Sequence, residues 1–374
     1  MTAPATAAGF SPPPYPYDRL VPVRAAAEAH PGGAVDLSVG TPGDPPPPEV
    51  VAALGASGTE RGYPPSGGTA AFRRAAAAWM ARDLGVEVPV EAVAGCVGTK
   101  ELVATTPQWL RLRDPSRDTV LYPAVSYPTY EMGALLAGCR AVPVPVDSRW
   151  RIDLGAVEEA DAARALCLWV NTPANPTGAL DDLAAAAAWG RSRGVAVFSD
   201  ECYAAYTWDG PRRTILASGL DGVVAVHSLS KRSNLAGLRA GFFAGDPDLV
   251  HYLAEVRKHV GLMTPGPVQA AATVALADDA HVEAQRARYR ERLTFLAGVL
   301  TEAGYPCRLP GGGFYLWPKA PGGDAWAAAH DLARRGGLVV APGDFYGPAG
   351  RAHLRVALVQ PMDRLHLVAD RLLG

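Results

Sequence analysis

Several short runs along the chain are apolar with no polar alternation: Thr119-Val120-Leu121-Tyr122, Ala141 to Val144, Ala165 to Val170, Val195 to Ser199, Val223 to Val226 and Ala240 to Ala244. Runs of this kind fit strands buried on both faces. Alanine-rich stretches with helical spacing lie between several of them, Leu183 to Arg193 being the clearest. Strands that alternate with helices predict an α/β fold with a mostly parallel, doubly wound sheet. In such sheets ligands gather at the carboxyl ends of the strands. Around this core, the proline-rich segment Ser11 to Tyr17 predicts an extended arm, Asp36 to Gly40 a short strand, and Thr41 to Pro48 a rigid linker. A long helical stretch begins at about Asp278 and runs to Ala303. Gly311-Gly312-Gly313-Phe314-Tyr315-Leu316-Trp317 and a mixed lobe ending in a helix follow. The pattern predicts a large domain over 46–277 and a smaller α+β domain over 278–374, joined by part of 1–45, which also carries the arm.

Composition narrows the class. The chain has 374 residues, long enough for a large domain with a smaller lobe. Hydrophobic residues make up 49% and charged residues 19%, the balance of a globular protein. The formal charge is −2 and no basic block appears, which argues against nucleic acid and anionic membrane as partners. Met1 to Ala8 lacks the basic and apolar regions of a secretory signal. The five cysteines are scattered without C-x-x-C spacing, which predicts a reducing cytoplasm and no metal site.

Candidate chemistry sits where the apolar runs end. Lys231 lies in His227-Ser228-Leu229-Ser230-Lys231-Arg232-Ser233-Asn234, just past Val223 to Val226. Burial there desolvates an amine and makes it nucleophilic. Ser228, Ser230 and Arg239 around it can hold a phosphate, the set of groups that pyridoxal 5'-phosphate (PLP) requires. A surface lysine in a serine-rich turn is the alternative. Gly98-Thr99-Lys100 precedes a helical pattern and is either an anion site or a plain helix cap. Asn175 stands in a loop fixed by Pro173, Pro176 and Gly178. Asp200 follows Val197-Phe198-Ser199. It is either the partner of a protonated pyridine nitrogen or an N-cap, and Tyr203 is within reach of the same ligand.

The ordered set Gly98-Thr99, Tyr127, Asn175, Asp200, Tyr203, Lys231 and Arg239 resembles the fold-type-I, PLP-dependent aminotransferases of class I/II, over nearly the whole chain. The resemblance implies that Lys231 carries the cofactor and moves the proton, and that Asp200 pairs with the ring nitrogen. It implies that Asn175 and Tyr203 bond the ring hydroxyl oxygen and that Tyr127 stacks on the ring. It assigns Gly98, Thr99, Ser228, Ser230 and Arg239 to the phosphate cup. Arg355, in His353-Leu354-Arg355-Val356, matches the arginine that grips the substrate carboxylate, a task suited to guanidinium geometry. Gly40 matches a backbone contact to the same carboxylate. Tyr63, in Gly62-Tyr63-Pro64-Pro65-Ser66-Gly67-Gly68, matches a tyrosine donated across a homodimer interface.

The stretches Gly98-Thr99-Lys100-Glu101-Leu102-Val103, Leu37 to Pro45 and Ala341 to Gly350 resemble the actinobacterial succinyldiaminopimelate aminotransferases. That resemblance implies transfer between N-succinyl-L,L-diaminopimelate and 2-oxoglutarate in lysine biosynthesis. A second cation is then expected for the distal carboxylate, with Lys100 and Arg232 as candidates, either of which is otherwise a solvated charge. A broad-specificity aminotransferase for aspartate or alanine, or a PLP-dependent β-lyase, are the other readings.

Overall fold

A computed structural model describes residues 10–374. The six predicted apolar runs all become strands of one sheet. In chain order the strands are β1 (Val35–Asp36), β2 (Val93–Cys96), β3 (Thr119–Pro123), β4 (Arg140–Val144), β5 (Ala165–Asn171), β6 (Ala196–Asp200), β7 (Val223–Ser228), β8 (Gly241–Gly245), β9 (Tyr315–Leu316), β10 (Leu338–Val339), β11 (Ala341–Pro342) and β12 (Leu354–Ala357). The large sheet has the order β2-β8-β7-β6-β5-β3-β4. Within it β8 alone runs against its neighbours β2 and β7. The other pairings are parallel. Every residue of β2, β5, β7 and β8 is buried, as their unbroken apolar character requires.

This topology fixes where the chemistry can lie. Asn171 pairs with Asp200 in register at the carboxyl ends of β5 and β6. Ser228 at the end of β7 faces Gly241 at the start of β8. The β7–β8 link, which holds Lys231 and Arg239, therefore stays at this same edge. Because Cys96 pairs with Gly241, β2 also delivers Gly98 and Thr99 there. The strand order thus gathers residues from well-separated stretches of chain at one edge, where ligands of such sheets bind.

A second core packs the helix Ala280–Glu302, β9, β12 and the terminal helix Met362–Leu373 together, with Val35 and Leu37 from the N-terminal part. The three-stranded sheet β11-β12-β9 lies within this part, and β1 pairs in parallel with β10.

Two expectations are corrected, and one strand is unexpected. The strand expected over Asp36 to Gly40 is only Val35–Asp36; the Leu37 N–H still donates to the Val339 carbonyl, and the chain then runs on to Val39 and Gly40 in the wall of a cavity. The arm is extended only as far as Tyr15. A 3-10 turn, Pro16–Leu20, then leads into the helix Val21–Glu28. And β2 falls in a segment with no predicted strand.

Candidate active site

A cavity of about 460 Å³ opens at the carboxyl edge of the sheet. Its wall includes Gly40, Thr99, Lys100, Tyr127, Asn175, Asp200, Tyr203, Ser228, Ser230, Lys231, Arg239 and Arg355. Of the predicted site residues, Gly98 adjoins this wall through Thr99 and Arg239, and only Tyr63 and Arg232 stand away from it.

Lys231 is carried by a single helical turn, Leu229–Arg232, capped by the Ser228 hydroxyl, which accepts from the Ser230 N–H at 3.1 Å. Its Nζ donates to the Gly40 carbonyl. Burial, reinforced by the charges of Arg355 and Arg239, lowers the ammonium from 10.5 to about 8. Asp200 is also buried, and burial pushes its carboxyl up. The Cys202 N–H at 3.2 Å and the Tyr130 hydroxyl at 2.8 Å both donate to it and work the other way. Tyr130 in turn stacks on Trp169 at 5.3 Å, so the Asp200 side chain is held from behind.

Gly98 has φ +77, a left-handed conformation suited to glycine, and caps the helix Thr99–Arg113. A Cβ there would meet the Arg239 Nη2 at 2.0 Å. The closeness of the guanidinium to the bare backbone makes a cradle of N–H groups and positive charge. Arg239 itself adopts φ +55 and donates to the Ala236 carbonyl at 2.8 Å, which aims its guanidinium back over the loop.

Arg355 on β12 is 3% exposed. It donates to Asn175 Oδ1 at 2.9 Å, the Tyr17 hydroxyl at 3.0 Å and the Ser38 carbonyl at 2.6 Å. Its guanidinium lies 4.5 Å from the Tyr315 ring centre and 4.8 Å from that of Tyr346. The Tyr203 and Tyr315 hydroxyls bond each other at 2.7 Å. Lys100 stands at the mouth, 5.3 Å from the Tyr15 ring centre.

Arg232 does not face the cavity, contrary to expectation. Its guanidinium donates to the Ala275 and Asp278 carbonyls and pairs with Asp279 at 2.7 Å. Adjacent residues on a helical turn point in different directions, so placing Lys231 in the cavity turns Arg232 away from it. Tyr63 is 96% exposed and lies outside the cavity of its own chain. Tyr15, Tyr17, Tyr130, Asn171 and Tyr315 belong to the site but are not singled out by sequence reasoning. Tyr315 lies within the marked run Gly311 to Trp317, and Tyr15 and Tyr17 lie in the proline-rich arm, whose pattern carries no sign of a site.

The fold and this edge cavity define a fold-type-I enzyme of the PLP-dependent kind. The sequence profile "Aminotransferase class I and II" matches residues 33–372, and the chain belongs to that family. Its members use PLP, and the donor set fits: a buried amine of lowered basicity, a buried carboxylate and a glycine cradle facing an arginine. The chain is 44% identical to 4-dedimethylamino-4-oxo-anhydrotetracycline transaminase OxyQ of Streptomyces rimosus, over 96% of this chain and 99% of that one. It is 33% identical to LL-diaminopimelate aminotransferase of Desulforudis audaxviator, over 97% and 95%. A solved structure, a probable N-succinyldiaminopimelate aminotransferase from Thermus thermophilus, superposes with a TM-score of 0.86 at 31% identity, covering 95% and 98%.

Proposed function

We propose that the protein is a ping-pong aminotransferase whose substrates anchor their α-carboxylate on Arg355 and extend their distal end towards Lys100. The observation that carries this reading is that a buried arginine and a buried amine of lowered basicity share one cavity. Bound PLP supplies an electron sink for charge developing at the substrate Cα. Lys231 would hold the cofactor, and its Nζ would move the proton at the substrate Cα. Asp200 would pair with the protonated ring nitrogen, a cation that favours the ionised carboxylate against burial. Gly98, Thr99, Ser228, Ser230 and Arg239 would hold the phosphate, Tyr127 would cover the ring, and Tyr203 and Asn175 would bond its hydroxyl oxygen. Asn175 already orients the Arg355 guanidinium, so it joins the cofactor and carboxylate sites. The Gly40 carbonyl gives Lys231 an acceptor, and its N–H remains for the carboxylate.

On this reading residues 46–277 form the cofactor-bearing domain, and 278–374 with part of 1–45 form the smaller one. Two chains share their sites, with exposed Tyr63 of each reaching the other's phosphate. Among the described residues no helix is long and apolar enough to cross a membrane. Five cysteines, all free, suit the cytoplasm.

For the substrate we propose N-succinyl-L,L-diaminopimelate or an unacylated relative, with 2-oxoglutarate as acceptor. The diaminopimelate aminotransferases among its relatives support this, as does a cation at the mouth, Lys100. A second reading is a bulky cyclic ketone, with Arg355 serving only the amino donor. The aromatic mouth formed by Tyr15 and Tyr17, 5.4 Å apart, and the OxyQ likeness favour it. The deciding experiment measures kcat/KM with 2-oxoglutarate for N-succinyl-L,L-diaminopimelate, L,L-diaminopimelate, aspartate and alanine, and separately with glutamate for a polycyclic ketone. The first reading requires a diaminopimelate substrate to lead by more than about tenfold, or about 1.4 kcal/mol of discrimination. A lead for alanine or aspartate would replace it with a general aminotransferase.

A further inference from the structure

Beneath the cavity lies an ion pair that none of the roles above uses. Val97 ends the approach from β2, Gly98 caps the helix Thr99–Arg113, and Glu101 is its third residue. The Glu101 carboxylate turns back and accepts the Val97 N–H at 2.8 Å. In a capping box a glutamate at this helix position accepts the N-cap N–H; here it accepts the N–H one residue earlier, that of Val97. Here the carboxylate has a further partner. Arg257, on the helix Pro247–His259, donates to Glu101 Oε2 at 2.7 Å and to Oε1 at 2.5 Å. Arg257 is 1% exposed, and its guanidinium lies 5.9 Å from the centre of the Phe243 ring on β8.

The pair has an electrostatic consequence. A carboxylate in the first turn stabilises the helix by itself. Within that same turn are Gly98 and Thr99, assigned above to a phosphate group. A second anion bound at that turn is repelled by the carboxylate and held more weakly. A buried cation on the far side of Glu101 offsets that repulsion and leaves the loop's N–H groups free to bind the ligand.

We propose that Arg257 is a charge-balancing and positioning residue of the phosphate site: it fixes Glu101 against the Val97–Thr99 turn and cancels its charge where the cofactor phosphate binds. The proposal rests on the phosphate-site assignment. Arg257 does not touch the cofactor. It acts through Glu101, so its effect is specific to ligands that carry the phosphate.

The test compares the Kd of PLP with that of pyridoxal, which lacks the phosphate, by titrating cofactor-free protein and following cofactor absorbance. Arg257→Gln should weaken PLP at least about tenfold and pyridoxal by less than about threefold, as expected when the part-buried Glu101 carboxylate is left facing the phosphate without its cation. Adding Glu101→Gln to that variant should restore most of the preference for PLP. Arg257→Lys keeps the charge and should keep the preference. Equal weakening of both ligands, or no recovery in the double variant, would overturn the proposal by reducing the pair to a structural brace. If Arg257→Gln alone does not fold, the double variant, which buries no lone charge, is compared with wild type. A PLP preference within about threefold of wild type is expected there, and a greater loss overturns the proposal. Arg239→Ala separates the two layers. Loss of PLP preference there but not in Arg257→Gln refutes only the role of Arg257. No loss there refutes the phosphate-site assignment, and the proposal with it.

Discussion

The lowered basicity of Lys231 has a direct kinetic consequence. Its Nζ is buried, and its pKa falls from 10.5 to about 8. Only the neutral amine attacks an aldehyde. At about pH 7.5 an amine of pKa about 8 is neutral roughly one time in four, whereas one of pKa about 10.5 is neutral roughly one time in a thousand. The environment therefore supplies a reactive fraction larger by roughly two orders of magnitude. The perturbation is pH, and the assay is stopped-flow capture of PLP by cofactor-free protein, read by visible absorbance. The second-order rate should rise about tenfold per pH unit below about pH 7, bend near pH 8 and level off by about pH 9. Arg355→Leu removes one of the charges that depress the pKa and should move the bend to higher pH. A capture rate that climbs without a bend to about pH 10 would refute the reasoning.

Other consequences are equally open to test. Gly98→Ala meets both an unfavourable φ and the Arg239 guanidinium at 2.0 Å, so PLP affinity measured by dialysis should fall by more than about tenfold; unchanged affinity would contradict the cradle. Lys100→Met should lower kcat/KM for dicarboxylic substrates about tenfold or more and leave alanine within about threefold, whereas a uniform loss would remove Lys100 from substrate reading. Burial raises Glu201 from 4.5 to about 7, so the folded state binds its proton more tightly. Its contribution is intact below about pH 4.5 and is lost as pH rises through about 7. Glu201→Gln should therefore be more stable than wild type to urea at about pH 8 but not at about pH 4.5; an equal difference at both would contradict the sign. If Tyr63 acts across the interface, mixing Tyr63→Ala with Lys231→Ala chains should recover activity through one site that keeps both native groups. No recovery from demonstrably mixed dimers would place Tyr63 with its own chain.

How much is legible in the sequence follows from how local each signal is. The six apolar runs become strands because a strand covered on both faces must be apolar throughout, whatever its neighbours. β2, with Ala94, Gly95 and Cys96 in its four residues, has weak intrinsic preference and exists by pairing with β8. Lys231, Asp200 and Asn175 are legible as cavity residues because each sits at or just past a strand end. Tyr17 is not, since its bond to Arg355 joins residues 338 apart in sequence. Arg232 reads wrongly from sequence because adjacency to Lys231 along the chain does not make adjacency in the cavity, which a helical turn denies. The Glu101–Arg257 pair is hidden for the same reason as Tyr17, its partners being 156 residues apart.

The central claim is that this cavity binds PLP through Lys231 and uses it to exchange amino groups. It is tested most directly by loading the protein with PLP, reducing with borohydride, digesting, and locating the pyridoxyl-modified peptide by mass. A single modified peptide containing Lys231, with reduction prevented when a good amino donor is added first, is the predicted result. Modification at another lysine, or a Lys231 label that the amino donor does not prevent, would contradict it.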